Sequence, residues 1–239
     1  MRLVGHKGAD LIAPGNTVES FKAAVDAGVD TIEFDVLWLR DGHLPEDERS
    51  QLIVAHDWAA AAARAPLTLG EALDAFLEPP LDQVEIDLDI KLPGREEEFL
   101  DALRERGLID RAMISTTELS VLKRVRELEP DLRRGWTYPK ARRDWNRQPW
   151  VKPGLLAALV AMRHRAPGLA AEMLPELDPY AMWIYHSLAS PKLARICKVA
   201  GVELIAWTVD EAPQMQKLVD MGVTGLVSND PRLYQRLRL

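Results

Sequence analysis

A single cysteine, Cys197, stands among 239 residues. No internal disulfide can form, and the thiol count gives no sign of an oxidising compartment. Its setting, LARICKVAG, is apolar, which makes it a small core side chain. Basic charge is also scarce: 30 Lys and Arg against 37 Asp and Glu leave a net charge of −7. That excludes the basic footprint of a general nucleic-acid binder. It does not exclude a small anionic ligand, because a bound cation inverts the local field. No apolar run approaches the roughly 18 residues of a membrane span. The opening, MRLVGHKG, has no apolar stretch long enough for a secretory leader. The expectation is a cytoplasmic protein with no integral membrane segment. Repeats, low-complexity tracts and clear linkers are missing too, and 47% of the residues are apolar. One large domain over residues 1–239 fits these observations.

Short apolar runs alternate with segments of helical period. Strands are expected at Arg2–Gly5, Thr31–Leu37, Leu52–Ala55, Val84–Ile90, Ala112–Ser115, Arg134–Tyr138, Met182–Tyr185, Glu203–Val209 and Gly225–Val227. Helices are expected at Val18–Ala27, Thr68–Phe76, Glu96–Arg106, Glu118–Leu128, Pro191–Ala200 and Ala212–Met221. Gly28, Gly107, Gly201 and Gly222 follow helical patterns as C-terminal caps do. Asn16, three residues before Glu19, reads as a variant capping box. Trp58–Ala65 reads as a loop or short helix, and Pro139–Pro153 as a long loop at the barrel mouth. Strands alternating with helices imply parallel βαβ units, and about eight of them favour a closed (β/α)8 TIM barrel.

Barrel enzymes carry their chemistry at the C-terminal ends of the strands. Polar residues accumulate there: His6-Lys7-Gly8, Glu33-x-Asp35, His56-Asp57, Asp87-x-Asp89-x-Lys91, Trp207-Thr208-Val209-Asp210 and Ser228-Asn229-Asp230-Pro231. The i, i+2 spacing puts Glu33 and Asp35 on one strand face, and likewise Glu85, Asp87, Asp89 and Lys91. Several inward carboxylates repel one another and call for a cation, a lysine or protons. A divalent metal held by oxygen ligands meets that need. Two histidines beside it suit general acid and base work, and Lys7 suits a phosphate oxygen. Asp87 competes with Asp89 as a ligand or stands behind it as a partner of Lys91, while Glu85 is expected to plug the barrel bottom.

The ordered series His6-Lys7-Gly8, Pro14-Gly15-Asn16-Thr17, Glu33-x-Asp35, Asp41-Gly42, His56-Asp57, Asp89-x-Lys91, Trp207-Thr208-Val209-Asp210 and Gly225 to Pro231 resembles the glycerophosphodiester phosphodiesterase family over nearly the whole chain. The resemblance implies a metal-dependent phosphodiesterase acting on glycerophosphodiesters or lysophospholipids. It implies one divalent cation, Ca²⁺ or Mg²⁺, on Glu33, Asp35 and Asp89, with His6 and His56 as the acid/base pair. Lys7, Lys91 and Trp207 would lie against the substrate. Three departures stand out: Lys7 replaces an Arg, Gly15 replaces a Glu, and Asp89 replaces a Glu. The segment after His56-Asp57 is also shortened, which suggests a more open mouth and a bulkier substrate such as a lysophospholipid. Lys7, Gly15 and Asp89 support an alternative, a family member that binds a phosphodiester or anion without turnover. The expected partner is a small-molecule phosphodiester; the sequence leaves its alcohol group and the oligomeric state open. His43, His164 and His186 have no matching context.

Overall fold

The structure is a computed structural model that describes residues 1–39, 50–140 and 152–238. The motif piece Asp41-Gly42, His43 and most of the expected loop 139–153 lie outside the described residues. Eight parallel strands close into a ring: β1 (Arg2–His6), β2 (Thr31–Leu37), β4 (Glu85–Ile90), β5 (Ala112–Thr116), β6 (Arg133–Tyr138), β7 (Ala181–Tyr185), β8 (Glu203–Trp207) and β9 (Gly225–Ser228). β1 pairs with both β9 and β2, which seals the barrel. A ninth strand, β3 (Ile53–Val54), pairs antiparallel with the end of β2 through Val36↔Val54. The expected fold is therefore the observed one, and only the third expected strand falls outside the ring.

Helices α1 (Val18–Asp26), α2 (Trp58–Ala63), α3 (Leu69–Ala75), α4 (Glu96–Glu105), α5 (Leu119–Leu128), α6 (Lys152–Leu177), α7 (Pro191–Ala200) and α8 (Ala212–Asp220) connect them. The large apolar cluster lies between strands and helices, where Phe21, Phe34 and Phe76 meet with ring centroids 5.2–5.7 Å apart. A second, smaller cluster contains Val4, Met113, Trp183, Ile205 and Val227. These are alternate-face strand residues, and they fill the barrel itself. Gly135 is required there, because a Cβ at that position would sit 2.4 Å from the Trp183 indole nitrogen.

Two local expectations change. α1 is capped by Thr17, whose hydroxyl accepts from the Ser20 N–H at 3.2 Å. Asn16 is not the cap; its amide is turned inward to Asp35. α6 had no clear sequence pattern, since Pro167 and Pro175 interrupt it. At the N-terminal end of the barrel, Glu85 pairs with Arg2 and with Arg133 (2.6 Å), and Arg2 also bonds Glu203 at 2.8 Å. Glu85 thus closes the barrel bottom, far from the mouth, as expected.

Candidate active site

Parallel register stacks the acidic residues in rungs. Asp35 lies beside Asp89, and one step deeper Glu33 lies between His6 and Asp87. Carboxylate oxygens of Glu33, Asp35 and Asp89 come within 4.8 Å of one another. Glu33 and Asp35 are buried. Lys91, two residues beyond Asp89 at the strand end, places Nζ 2.5 Å from Asp35 Oδ1 and also bonds Asp89. Asp35 Oδ2 accepts from Asn16 Nδ2 at 2.8 Å, and the Asp35 N–H donates to Asn16 Oδ1 at 3.2 Å. Asp35 Oδ1 is held by the Lys91 ammonium and has no other partner among the described residues, so a lone pair stays for a divalent cation. Three carboxylates with one such oxygen suit a hard divalent ion.

The charge balance explains the titration behaviour. Burial, together with Asp35 and Asp89, pushes the Glu33 carboxyl well above the usual range. Burial works against an ionised Asp35, but Lys91, aided by His56, Lys7 and His6, holds it below that range. Burial and Asp35 also raise Asp89, against the pull of Lys91. Lys91 is desolvated, yet its carboxylate neighbours keep it charged. Asp87 is a different case. It is fully buried, accepts from Ser115 Oγ at 2.7 Å, and burial raises its carboxyl well above the usual range. It pairs with Ser115, not with Lys91 as the sequence suggested.

His6 ends β1 inside this cluster, its Nε2 4.0 Å from Glu33 Oε2. Its Nδ1 lies 2.6 Å from Asn229 Oδ1. Asn229 donates its own amide to Asp210 Oδ2 at 2.7 Å, which turns Oδ1 toward His6. Nδ1 therefore carries the proton and Nε2 presents a lone pair. Burial and Lys7 lower the His6 pKa to about 4, so the ring is neutral at physiological pH. His56 is more exposed and stands where β3 leaves the rim, tied there by the Ala55 N–H to Asp35 O at 3.1 Å. Its Nδ1 is 3.2 Å from Asp57 Oδ2, and Asp57 also caps α2 through the Ala60 N–H at 2.8 Å.

Lys7 has φ 51°, a left-handed conformation that is costly for a lysine. Three bonds hold it: its N–H donates to Glu33 Oε2 at 2.9 Å, and its carbonyl accepts from the Asn16 N–H (3.0 Å) and Ser20 Oγ (2.8 Å). Trp207 ends β8 half-buried, 5.5 Å ring to ring from Tyr185, its indole N–H without an acceptor among the described residues. His164 is exposed on α6. His186 is half-buried and 2.5 Å from Gln214 Nε2. Neither joins the carboxylate cluster. The sequence reading missed the roles of Asn16, Asp210 and Asn229. Asp210 and Asn229 stand in motifs at strand ends, and Asn16 stands in the motif of the loop before α1.

A family model described as the glycerophosphoryl diester phosphodiesterase family matches residues 6–57 and 71–233. A glycerophosphodiester phosphodiesterase of Caldanaerobacter subterraneus subsp. tengcongensis is 26% identical over 254 residues, covering 96% of this chain and 94% of its own. Among solved structures, a glycerophosphodiester phosphodiesterase from Parabacteroides distasonis superposes with a TM-score of 0.72 at 17% identity, covering 98% of this chain and 97% of its own. An Oleispira antarctica phosphodiesterase, solved with the product sn-glycerol-3-phosphate, gives 0.68 at 20% identity, covering 99% and 96%. At such identities the structures establish the shared barrel. With the family match spanning most of the chain, this protein belongs to the glycerophosphoryl diester phosphodiesterase family and is a phosphoric diester hydrolase.

Proposed function

We propose that the chain hydrolyses a glycerophosphodiester, or a lysophospholipid built on the same linkage, to an alcohol and a glycerol phosphate, with His6 and His56 moving the protons. The carrying observation is the cluster of Glu33, Asp35 and Asp89 within 4.8 Å, with a neutral imidazole at its edge. Ca²⁺ or Mg²⁺ bound by these carboxylates would supply Lewis-acid stabilisation of charge on the phosphoryl oxygens. His6 Nε2 accepts the proton of the nucleophile, either water itself or a glycerol hydroxyl whose cyclic phosphate water then opens, and Asn229 with Asp210 keeps the ring in the tautomer that can do so. His56 gives a proton to the leaving oxygen. Lys7 pairs with a phosphate oxygen, and Trp207 lies against the substrate.

Turnover of glycerophosphocholine measured with Ca²⁺, Mg²⁺ or EDTA tests this reading. Loss of at least about a hundredfold in EDTA, restored by one of the ions, is expected, given the several kcal/mol of transition-state stabilisation that a Lewis acid supplies. A full rate in EDTA overturns the metal role.

The pH profile carries a second expectation. A base must be unprotonated to work, and His6 binds its proton only near pH 4. At saturating metal, the acid limb of kcat/KM should lie near pH 4, well below the range of an ordinary imidazole. At low metal the acid limb should move to higher pH, because Glu33 must first release the proton that burial favours. An acid limb near 6.5 at saturating metal would show an ordinary solvated imidazole at position 6.

A further inference from the structure

Beside His56 lies a cavity of about 300 Å³ whose lining includes Lys7, Asp10, Gly15, Ala60, Ala63 and Arg64. Its polar side is built around the missing side chain at position 15. A Cβ there would sit 2.4 Å from Asp10 Oδ1. With glycine in place, the Asp10 carboxylate enters that space and accepts from the Gly15 N–H at 2.8 Å. Arg64 Nη2 donates to the Gly15 carbonyl at 2.6 Å, so its charge is turned to the backbone. Asp10 Oδ2 remains toward the cavity, 3.5 Å from Lys7 Nζ, with 35% of the side chain exposed. The facing wall from α2 is only methyl groups, Ala60 and Ala63.

We propose that Asp10 determines the alcohol specificity of this enzyme, selecting a compact alcohol that carries an ammonium group. The proposal rests on the reading that His56 serves the leaving oxygen, which places the alcohol in this cavity. A phosphodiester monoanion within hydrogen-bond reach of Lys7 is a closer partner for it than a carboxylate at 3.5 Å. Substrate binding therefore draws Lys7 toward the phosphate and leaves Asp10 Oδ2 for the ammonium. The alanine wall takes the carbon atoms. A neutral polyol gains no ion pair there, and an anionic alcohol meets a like charge. Gly15 and Asp10 then act as a pair, since any side chain at 15 would displace the carboxylate.

The test compares two diesters of the same glycerol phosphate, one with ethanolamine and one with glycerol as the alcohol. Their Kd values are measured by calorimetry on the His6→Ala chain in Ca²⁺, and their turnover on the wild type. About fivefold tighter binding of the ethanolamine diester is expected, the upper end for one partly exposed ion pair. Adding Asp10→Asn, which keeps the bond from the Gly15 N–H, should bring the ratio to within about twofold by weakening the ethanolamine diester. Gly15→Ala should collapse the ratio in the same way. Equal Kd values in the parent chain, or equal weakening of both diesters by Asp10→Asn, overturns the assignment and leaves Asp10 as a support for Lys7. If the wild type turns over neither diester while the Kd ratio behaves as expected, the cavity assignment stands and the hydrolytic reading of this site fails.

Discussion

His6→Ala is expected to lower kcat on glycerophosphocholine by about 10²–10⁴-fold, the usual range for a positioned general base. His56→Ala should cost a similar factor on that substrate. The two losses have different origins, and a change of leaving group separates them. On the proposed reading, His56 protonates a departing alkoxide. A nitrophenyl diester leaves as a stable phenolate and needs no such proton. His56→Ala should therefore regain most of its rate on the nitrophenyl diester, within about tenfold of the wild type, while His6→Ala stays impaired on both. The proposed role of His6 as base is supported by its surroundings. Asp210 orients Asn229, Asn229 holds Nδ1–H, and burial with Lys7 keeps the ring neutral. His56 has no such amide; its Nδ1 faces the carboxylate of Asp57. If both variants lose the same factor on both substrates, the division into base and acid is wrong. Steady-state kinetics of four enzyme and substrate pairs decides it.

The fold was largely legible because barrel strands impose two strong periods. Val84, Ile86, Leu88 and Ile90 alternate with Glu85, Asp87, Asp89 and Lys91, and such a pattern fits a strand with one apolar and one polar face. The same alternation made the carboxylate cluster legible, since i, i+2 pairs on neighbouring strands in register must converge. What it could not show is depth. Glu85, Asp87 and Asp89 share a face, yet one binds arginines at the barrel bottom, one is a buried acid on Ser115, and one reaches the rim. Asn16 was misread because an Asn just before a helix ordinarily caps it. Here Thr17 supplies the cap, and Asn16, with φ 61°, is free to bind Asp35 across nineteen positions of sequence. α6 escaped because two prolines remove backbone donors within it, a cost that tertiary packing against α7 outweighs. The hydrogen bond between Asp10 and Gly15 is set by loop geometry, which no period encodes.

Lys91→Met should lower the thermal stability of the metal-free protein by about 3–5 kcal/mol, the loss expected when one partner of a buried ion pair is removed. At roughly 2–4 °C per kcal/mol for a chain of this size, Tm should fall by about 10 °C. The methionine keeps the apolar stem, so the loss isolates the charge. In the wild type the ammonium lies against Asp35 and Asp89, two of the three clustered carboxylates. Without it, Asp35 loses the main interaction that overcomes its burial. The sign with pH follows. Asp35 is held below its unfolded pKa by Lys91, so that stabilisation is full above the ordinary carboxylate range and is lost as pH falls from that range toward the depressed folded value. The gap in Tm between wild type and variant should accordingly be widest near pH 7 and narrow below pH 4. Divalent ion should reverse the order of response. Ca²⁺ neutralises the same carboxylates that Lys91 does, so millimolar Ca²⁺ should raise Tm more in Lys91→Met than in the wild type, by the linkage of ligand binding to folding. Differential scanning calorimetry in EDTA and in Ca²⁺, at pH 7 and pH 3.5, reads these quantities. An unchanged Tm in EDTA at pH 7 would show that Lys91 contributes no net stabilisation. A Ca²⁺ shift no larger in the variant than in the wild type would show that Glu33, Asp35 and Asp89 do not hold the ion, which would sink the metal assignment independently of any activity measurement.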